Sequence, residues 1–143
     1  MKYTMPKWLQ LFVRRFPGIR KSIANFKSVQ SANYCEFDGI SFQFDSRFMD
    51  KKRFVAIAAG AIENDEVTVA QRFLNKDDII VEFGSGLGIA AARVNDVIKP
   101  QQHFCFEANP LLIEYAEQLF RLNDMHIKVK NYSLGNGKRL PFY

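Results

Sequence analysis

The segment from residue 79 to residue 88 constrains the fold of this chain more than any other part of its sequence. An apolar run, Ile79-Ile80-Val81, leads through Glu82 and Phe83 into three alternating glycines at positions 84, 86 and 88. Glycine adopts positive φ without strain and has no Cβ to keep a ligand at a distance. Residues 89–98 have a helical pattern, so the free amides at the start of that helix face the same turn. The sequence therefore predicts a buried strand, a ligand-binding turn and a helix.

Size and composition indicate one globular domain. The chain has 143 residues, of which 48% are hydrophobic and 14% aromatic, which is enough for a core and too few for two ordinary domains. The two cysteines, Cys35 and Cys105, fit no metal-ligand or CxxC spacing, so we expect no disulfide. No apolar stretch approaches the roughly 20 residues that span a bilayer, and the start of the chain lacks the core of a signal peptide. These features predict a cytoplasmic protein.

Residues 1–33 form a basic segment in which apolar residues recur at helical spacing. Every charged side chain in this segment is basic, whereas the whole chain has a net charge of only +5. We predict an amphipathic helical arm with two alternative roles. Either its apolar face packs on the flank of the domain, or residues 2–27 contact an anionic membrane surface. The basic side chains do not continue into the domain, so nucleic-acid binding is not predicted.

The remaining residues, 34–143, are predicted to form an α/β domain. Residues 34–45 alternate around Asp38-Gly39, which is typical of a β-hairpin. A lead-in helix is expected over residues 63–75. Strands and helices then alternate over residues 78–132 in the order β-α-β-α-β, which indicates a parallel sheet with right-handed crossovers.

Apolar spacing predicts which side of each helix faces the core. The inner face of the lead-in helix is expected to carry Val67, Ala70, Phe73 and Leu74. For the helix after the first strand of the parallel sheet, the expected core residues are Ile89, Val94, Val97 and Ile98. The helix after the second strand begins with Asn109 as N-cap and Pro110 at its first position, and its expected core residues are Leu111, Leu112, Tyr115, Leu119 and Leu122.

The three strands of the predicted sheet differ in their burial pattern. The first strand is apolar on both faces at residues 79–81, so it is expected to be central and buried. The third alternates with Lys128 and Lys130, which is typical of an edge strand. Only the second strand is available as a neighbour for the first, and the residues after Tyr132 are too few for a further crossover and strand. We therefore expect a sheet that is incomplete in this chain, with an exposed edge through which the protein could self-associate.

Two kinds of cofactor fit the glycine turn. The segment from Gly86 to Ala91 satisfies the permissive form of the dinucleotide fingerprint, but the stricter form, counted from Gly84, requires glycine where Ile89 stands. In contrast, Glu82 followed by the alternating glycines resembles motif I of class I S-adenosylmethionine-dependent methyltransferases. Glu107 at the end of the second strand is placed to accept hydrogen bonds from ribose hydroxyls in either case. The methyl donor is preferred to NAD as the cofactor.

The resemblance extends to one methyltransferase family. The segment Phe106-Glu107-Ala108-Asn109-Pro110 is similar to the FEPNP-type segment of FkbM-type methyltransferases, and residues 131–135 resemble the exit of their third strand. Residues 60–66 are similar to the lead-in motif of related enzymes, with Ile62 in place of an aromatic residue. The resemblance covers residues 55–143 and lacks the family's later strands. It implies the N-terminal half of a Rossmann-like class I methyltransferase fold, truncated after the third strand.

The resemblance also implies a function and a set of site residues. It implies transfer of a methyl group from S-adenosylmethionine, with a hydroxyl of a sugar or another small molecule as acceptor. The cofactor-binding residues that it implies are Glu63, Glu82, Gly84, Ser85, Gly86, Gly88, Glu107, Ala108 and Asn109. Among them, Glu63 and Glu82 meet the methionine end and Asn109 borders the adenine. No catalytic base is identified. A non-catalytic cofactor-binding remnant or interaction module, and an NAD-binding protein, remain as alternatives.

No metal site is predicted from the sequence. His103 and His126 both lie in predicted strands without companion ligands at metal-binding spacing, so they are interpreted as structural residues. Ser85 lies in the glycine turn and not in a G-x-S-x-G elbow, so no nucleophile is predicted.

Overall fold

The computed structural model describes residues 33–135, which begin with a β-hairpin. Strands β1 (Tyr34–Phe37) and β2 (Ile40–Gln43) pair antiparallel, with Tyr34 opposite Gln43. Asp38 and Gly39 connect them with φ values of 52° and 78°. Two positive φ values match the twist of paired strands, which is why an Asp-Gly turn forms here. The predicted arm lies outside the described residues, apart from Asn33.

Helix α1 (Lys51–Ala58) follows the hairpin and is absent from the sequence predictions. The Asp50 side chain accepts a hydrogen bond from the backbone N–H of Arg53 and so caps the start of this helix. Phe54 is fully buried, and its ring packs 5.5 Å from that of Phe44. The helix therefore fixes the hairpin against the rest of the core.

Helix α2 (Asn64–Phe73) occupies the position of the predicted lead-in helix. Val67 is buried, and Ala70 and Leu74 pack beside it. Phe73, in contrast, is 78% exposed, so its predicted place on the inner face is wrong. Val67, Ala70 and Leu74 recur at helical spacing and form one packed stripe, and Phe73 lies beside that stripe.

The parallel sheet has the predicted order of elements. Strands β3 (Ile79–Phe83), β4 (Gln102–Glu107) and β5 (Ile127–Asn131) are all parallel and lie in the order β3-β4-β5. Helix α3 (Ile89–Ile98) connects β3 to β4, and helix α4 (Pro110–Leu122) connects β4 to β5. The predicted α/β fold class is confirmed.

The two faces of this sheet have different surroundings. Because side chains alternate along a strand, Ile80, His103 and Cys105 point to one face, and all three are buried. We call this the covered face, because the core contacts of Ile80 are with Val67 and Val94 of the helices.

The opposite face of the sheet, which we call the open face, carries Ile79, Val81 and Phe83, which are 49–55% exposed. The prediction that residues 79–81 are buried on both sides is therefore wrong for the part of the chain that the structure describes. Within that part, β3 has a single neighbouring strand, so it forms one edge of the sheet. Strand β5 forms the other edge, as predicted.

Both crossover helices bury narrower faces than the sequence predicts. In α3, Val97 is 47% exposed, and in α4, Leu111 and Leu122 are 62% and 41% exposed. These residues lie at the ends of their helices, where the sheet no longer covers them. The core contacts of α4 come from its middle, at Tyr115, Ala116, Leu119 and Phe120. Between residues 33 and 135, no helix is long and apolar enough to cross a membrane.

Candidate functional site

The glycine turn lies where β3 ends and α3 begins, at the carboxyl edge of the sheet. Gly84, Gly86 and Gly88 have φ values of 78°, 55° and 76°, which L side chains rarely adopt. The N–H of Gly84 donates to the carbonyl of Phe106 at 2.7 Å, which ties the turn to the neighbouring strand. A Cβ added at Gly84 or Gly86 would meet no protein atom within 4 Å. The backbone there borders open space.

Gly88 has a different environment from the other two glycines. A Cβ at this position would lie 2.7 Å from the Phe120 ring and 3.0 Å from the Cβ of Ala116. The absence of a side chain thus lets helix α4 pack closely against the start of α3. The structure gives Gly88 a packing role in addition to the positive φ it shares with Gly84 and Gly86.

The Glu107 carboxylate connects the two βα turns of the sheet. One of its oxygens accepts a hydrogen bond from the N–H of Gly86 and the other from the N–H of Asn109, both at 2.8 Å. Glu107 is only 8% exposed, so it is not a solvated strand end. A carboxylate has about four lone-pair positions, so each oxygen retains capacity for a further donor. Glu107 therefore supports the turn and stays able to accept ligand hydroxyls.

The segment after Glu107 is held by capping and by β5. The Asn109 side chain accepts from the N–H of Leu111 at 3.0 Å, with Pro110 at the first helical position, as predicted. The Asn131 side chain donates to the carbonyls of Glu107 and Ala108, each at 2.9 Å. Ala108 and Asn109 are both half-buried at the edge of the turn. These bonds fix the backbone that would border an adenine.

Glu63 approaches the glycine turn from the start of α2. Its φ of 57° is a strained value for a residue with a side chain, and the N–H of Ala90 in the first turn of α3 donates to its carboxylate. Burial raises the pKa of Glu63, and the negative charges of Glu66 and Glu82 act in the same direction. Its Oε2 atom is buried with no hydrogen-bond partner among the described residues. Such a group favours a nearby cation or a bound donor.

Ser85 and Glu82 lie on the inner side of the turn. Ser85 is 7% exposed, and its hydroxyl oxygen has no hydrogen-bond partner among the described residues. The Glu82 carboxylate lies 3.5 Å from Nε2 of His103 and 3.9 Å from the Cys105 sulfur. Burial, followed by the charge of Glu82, raises the pKa of Cys105 to about 12. The thiol is therefore protonated at neutral pH unless a cation replaces its proton.

This arrangement corrects the interpretation of one histidine. His103 has companion side chains of metal-ligand type, namely Cys105 on its own strand and Glu82 on the neighbouring strand. The signal was divided between two strands: His103 and Cys105 are two positions apart on β4, and Glu82 pairs with Cys105 from β3. His126 is exposed and is not part of this group.

A polar cleft of about 370 Å³ lies at the opposite, amino-terminal edge of the sheet, near Lys99, Gln101 and Asp124. The site residues of the sequence analysis are all at the carboxyl edge, where ligands bind in open α/β sheets. The structure thus brings Glu63, Glu82 and Glu107 to the glycine turn, and the amino-terminal cleft lies apart from them.

Comparison with known proteins gives matches at the level of structure alone. No protein-family model matches the chain, and no curated protein matches its sequence. The crystal structure of PH0793 from Pyrococcus horikoshii superposes with a TM-score of 0.53 at 16% identity, covering 70% of this chain and 36% of that protein.

Two structures of TYW2 are similar to the chain to the same degree. TYW2 of M. jannaschii in complex with AdoMet gives a TM-score of 0.50 at 16% identity, covering 68% of this chain and 42% of that one. TYW2 of P. horikoshii in complex with MeSAdo gives 0.52 at 15% identity, with 70% and 35% covered. The chain thus spans between about a third and two-fifths of the length of these proteins. Its described part has the Rossmann-like fold of class I methyltransferases.

Proposed function

We propose that this protein binds S-adenosylmethionine at the glycine turn and is an S-adenosylmethionine-dependent methyltransferase. The observation that carries the proposal is the open space beside Gly84 and Gly86, bordered by the buried Glu107 carboxylate. The fold supports it, since the TYW2 structures of the same fold contain AdoMet or MeSAdo. The acidic residue Glu82 directly before the turn agrees with the methyl donor as cofactor.

Each site residue has a role in this proposal. The backbone of Gly84, Ser85 and Gly86 lies against the cofactor, while Gly88 lets helices α3 and α4 approach each other. Glu107 accepts ribose hydroxyls with the lone pairs that Gly86 and Asn109 leave free.

The remaining site residues surround the two ends of the cofactor. Ala108 and Asn109 border the adenine. Glu63 and Glu82 face the ammonium group of the methionine part, and the buried, unpartnered Oε2 of Glu63 supports that role.

The bound cofactor supplies an electrophilic methyl group, and the chain's part is alignment and exclusion of water. Rigid backbone contributes to alignment: the glycine turn is fixed by the N–H of Gly84 bonded to Phe106 and by the N–H of Gly86 bonded to Glu107. Among the described residues, no side chain near Gly84 is assigned as the base that removes the acceptor proton.

The finer assignments rest on the sequence resemblance. We propose a small hydroxylated acceptor such as a saccharide, an FkbM-type relationship, and a cytoplasmic enzyme in which residues 34–143 form part of the methyltransferase domain. The basic arm, residues 1–33, either packs on that domain or contacts an anionic membrane through residues 2–27. The proposed acceptor is testable by transfer of a labelled methyl group to sugars.

A second candidate function, self-association, is favoured by the open face of the sheet. Ile79, Val81 and Phe83 are about half-exposed on strand β3, and the Phe83 ring stacks 5.2 Å from that of Phe106. Together they form an apolar surface next to an unpaired strand edge. In this alternative the chain is a non-catalytic module that pairs with a second copy through β3.

Calorimetric titration of the chain with S-adenosylhomocysteine and, separately, with NAD tests the primary proposal. Binding of S-adenosylhomocysteine with little or no NAD binding is expected. Binding of NAD alone would contradict it and support the dinucleotide alternative. Analytical ultracentrifugation of the same samples separates the second candidate, since a monomer at all concentrations excludes pairing through β3.

A further inference from the structure

Three side chains with different ligand chemistry converge beneath the glycine turn. The possible ligand atoms of Glu82, His103 and Cys105 all lie within 4.8 Å of one another. His103 and Cys105 are buried on the covered face, while Glu82 is 25% exposed at its side chain. Glu82 is thus the member of the group with exposed surface, and the other two are enclosed.

His103 has no adequate hydrogen-bond partner in this position. Its side chain is 0% exposed, and neither ring nitrogen has a hydrogen bond within the described residues. Its Nε2 atom instead lies 3.5 Å from the Glu82 carboxylate, beyond a good hydrogen bond. A buried polar group without a partner is unfavourable. The ring lies close to the possible ligand atoms of Glu82 and Cys105, and this grouping is typical of a bound metal ion.

Two of the three separations between the ligand atoms are close to those around a tetrahedral metal ion, and the third, between His103 and Cys105, lies within 4.8 Å. Zinc lies about 2.0–2.1 Å from His nitrogen and carboxylate oxygen and about 2.3 Å from Cys sulfur, which places tetrahedral ligand atoms about 3.4–3.6 Å apart. The observed distances are 3.5 Å from Nε2 of His103 to Oε2 of Glu82, and 3.9 Å from that oxygen to the Cys105 sulfur. Small side-chain movements are sufficient to close the coordination.

Charge and ligand type select the ion. A thiolate and a carboxylate neutralise a divalent cation, so no net charge remains in a buried position. A set of one sulfur, one imidazole nitrogen and one carboxylate oxygen suits zinc and disfavours magnesium and calcium, which take oxygen ligands.

We propose that Glu82, His103 and Cys105 form a zinc site with a fourth, exchangeable position. Cys105 binds as thiolate and releases its proton to solvent when the metal enters, while His103 binds through Nε2 as the neutral imidazole. The fourth ligand is water or the hydroxyl of Ser85, which is buried without a hydrogen-bond partner among the described residues. The site ties β3 to β4 just below the turn and does not require the turn to bind the methyl donor. When zinc occupies Glu82, the carboxylate of Glu63, with its unpartnered Oε2, is the one that faces the ammonium group in the proposed cofactor site.

The chain provides its own matched controls for a test. It contains two cysteines and two histidines, and one of each lies outside the cluster. Metal-depleted protein is titrated with Co²⁺, a spectroscopic substitute for zinc, and then with Zn²⁺. We expect one ion per chain, tetrahedral d–d bands and a thiolate-to-cobalt charge-transfer band.

Two variants remove a ligand each. Cys105→Ser should abolish the charge-transfer band. His103→Gln should weaken metal binding by more than the roughly 10–100-fold that loss of an outer-shell partner costs. Cys35→Ser and His126→Gln should bind as the unchanged chain does.

A measurement on the unchanged chain keeps the proposal testable if a variant does not fold. Zn²⁺ should slow alkylation of Cys105 by N-ethylmaleimide, read by peptide mass spectrometry, and leave the rate at Cys35 unchanged. The proposal is overturned if no ion binds at micromolar Zn²⁺ or Co²⁺. It is equally overturned if a bound ion gives no thiolate band, or if the metal protects neither cysteine or both to the same degree.

Discussion

The covered and open faces of the parallel sheet come from the same strands and differ in almost every property. Ile80 is 9% exposed, whereas its neighbours in sequence, Ile79 and Val81, are 55% and 49% exposed. On the central strand, His103 and Cys105 are buried, and the intervening Phe104 is partly exposed beneath the Lys128 side chain. A step of one residue changes the environment completely because side chains alternate across the sheet.

The comparison shows that the core and the chemistry occupy the same face. Glu82, His103, Cys105 and Glu107 all point to the covered side, and cross-strand register brings Glu82 opposite Cys105. The open face carries apolar side chains and lysines and none of the proposed site residues. Covering by helices supplies the low-polarity surroundings in which buried carboxylates and ligands interact strongly.

The largest expected effect is a difference between two adjacent isoleucines. Ile80→Ala should lower the free energy of unfolding by about 2–4 kcal/mol, because it leaves a cavity against Val67 and Val94. Ile79→Ala should cost less than about 1 kcal/mol, since its side chain is half-exposed. Urea unfolding of both variants measures the difference. Equal losses would show that the open face is covered in solution.

Glu107→Ala should affect both stability and cofactor binding. The change leaves the N–H groups of Gly86 and Asn109 without their acceptor, which costs about 1–3 kcal/mol. Loss of the ribose contact should weaken S-adenosylhomocysteine binding about tenfold or more. Calorimetry and thermal unfolding are compared with Glu36→Ala, an exposed residue of the hairpin. If folded Glu107→Ala binds S-adenosylhomocysteine with unchanged affinity, Glu107 supports the turn and does not contact the cofactor.

Alanine substitution at two glycines with the same φ distinguishes the effect of backbone strain from the effect of ligand contact. Gly84 and Gly39 both have a φ of 78°, and a Cβ at either position meets no protein atom within 4 Å. Alanine at each should cost about 1–2 kcal/mol of stability through strain alone. Only Gly84→Ala should also weaken S-adenosylhomocysteine binding, because its methyl group enters the space of the cofactor. Equal affinities in the two variants would place the ligand elsewhere.

The buried Glu63 should give a smaller, pH-dependent effect. Its pKa in the folded chain is raised above 4.5, mainly by burial, so the folded state holds its proton more tightly than the unfolded state does. Glu63 therefore contributes to the free energy of unfolding below pH 4.5, and this contribution falls as the pH rises through the raised pKa. Glu63→Gln should remove that decline, measured as urea midpoints against pH. Glu36→Gln, on the exposed hairpin, should keep it.

The smallest effect is expected on the open face. Val81→Thr keeps the β-branched shape of a half-exposed side chain, so stability should change by less than about 0.5 kcal/mol. If chains pair through β3, the same change should weaken self-association in sedimentation measurements. A loss of stability comparable to that of Ile80→Ala would contradict the exposure of this face.

The sequence predicted the positions of helices and strands better than it predicted which of their faces are buried. The hairpin turn at Asp38-Gly39 and the cap at Asn109 were readable because a few adjacent residues decide them. Helix α1 was missed: it has only eight residues, and the apolar run from Phe54 onward does not distinguish a short helix from a strand. The exposed Phe73 and Leu111 show that helical spacing identifies an apolar side without showing how far the covering layer extends.

The sequence by itself determined the strand, glycine turn and helix, because the apolar run at residues 79–81 and the positive φ at residues 84, 86 and 88 follow from local residue types. It also placed Glu107 at the end of the next strand. Only the tertiary structure decided that Glu107 holds both turns together and that Glu82 meets His103 and Cys105. Those contacts join residues distant in sequence, and parallel register, which no single segment encodes, fixes which of them meet.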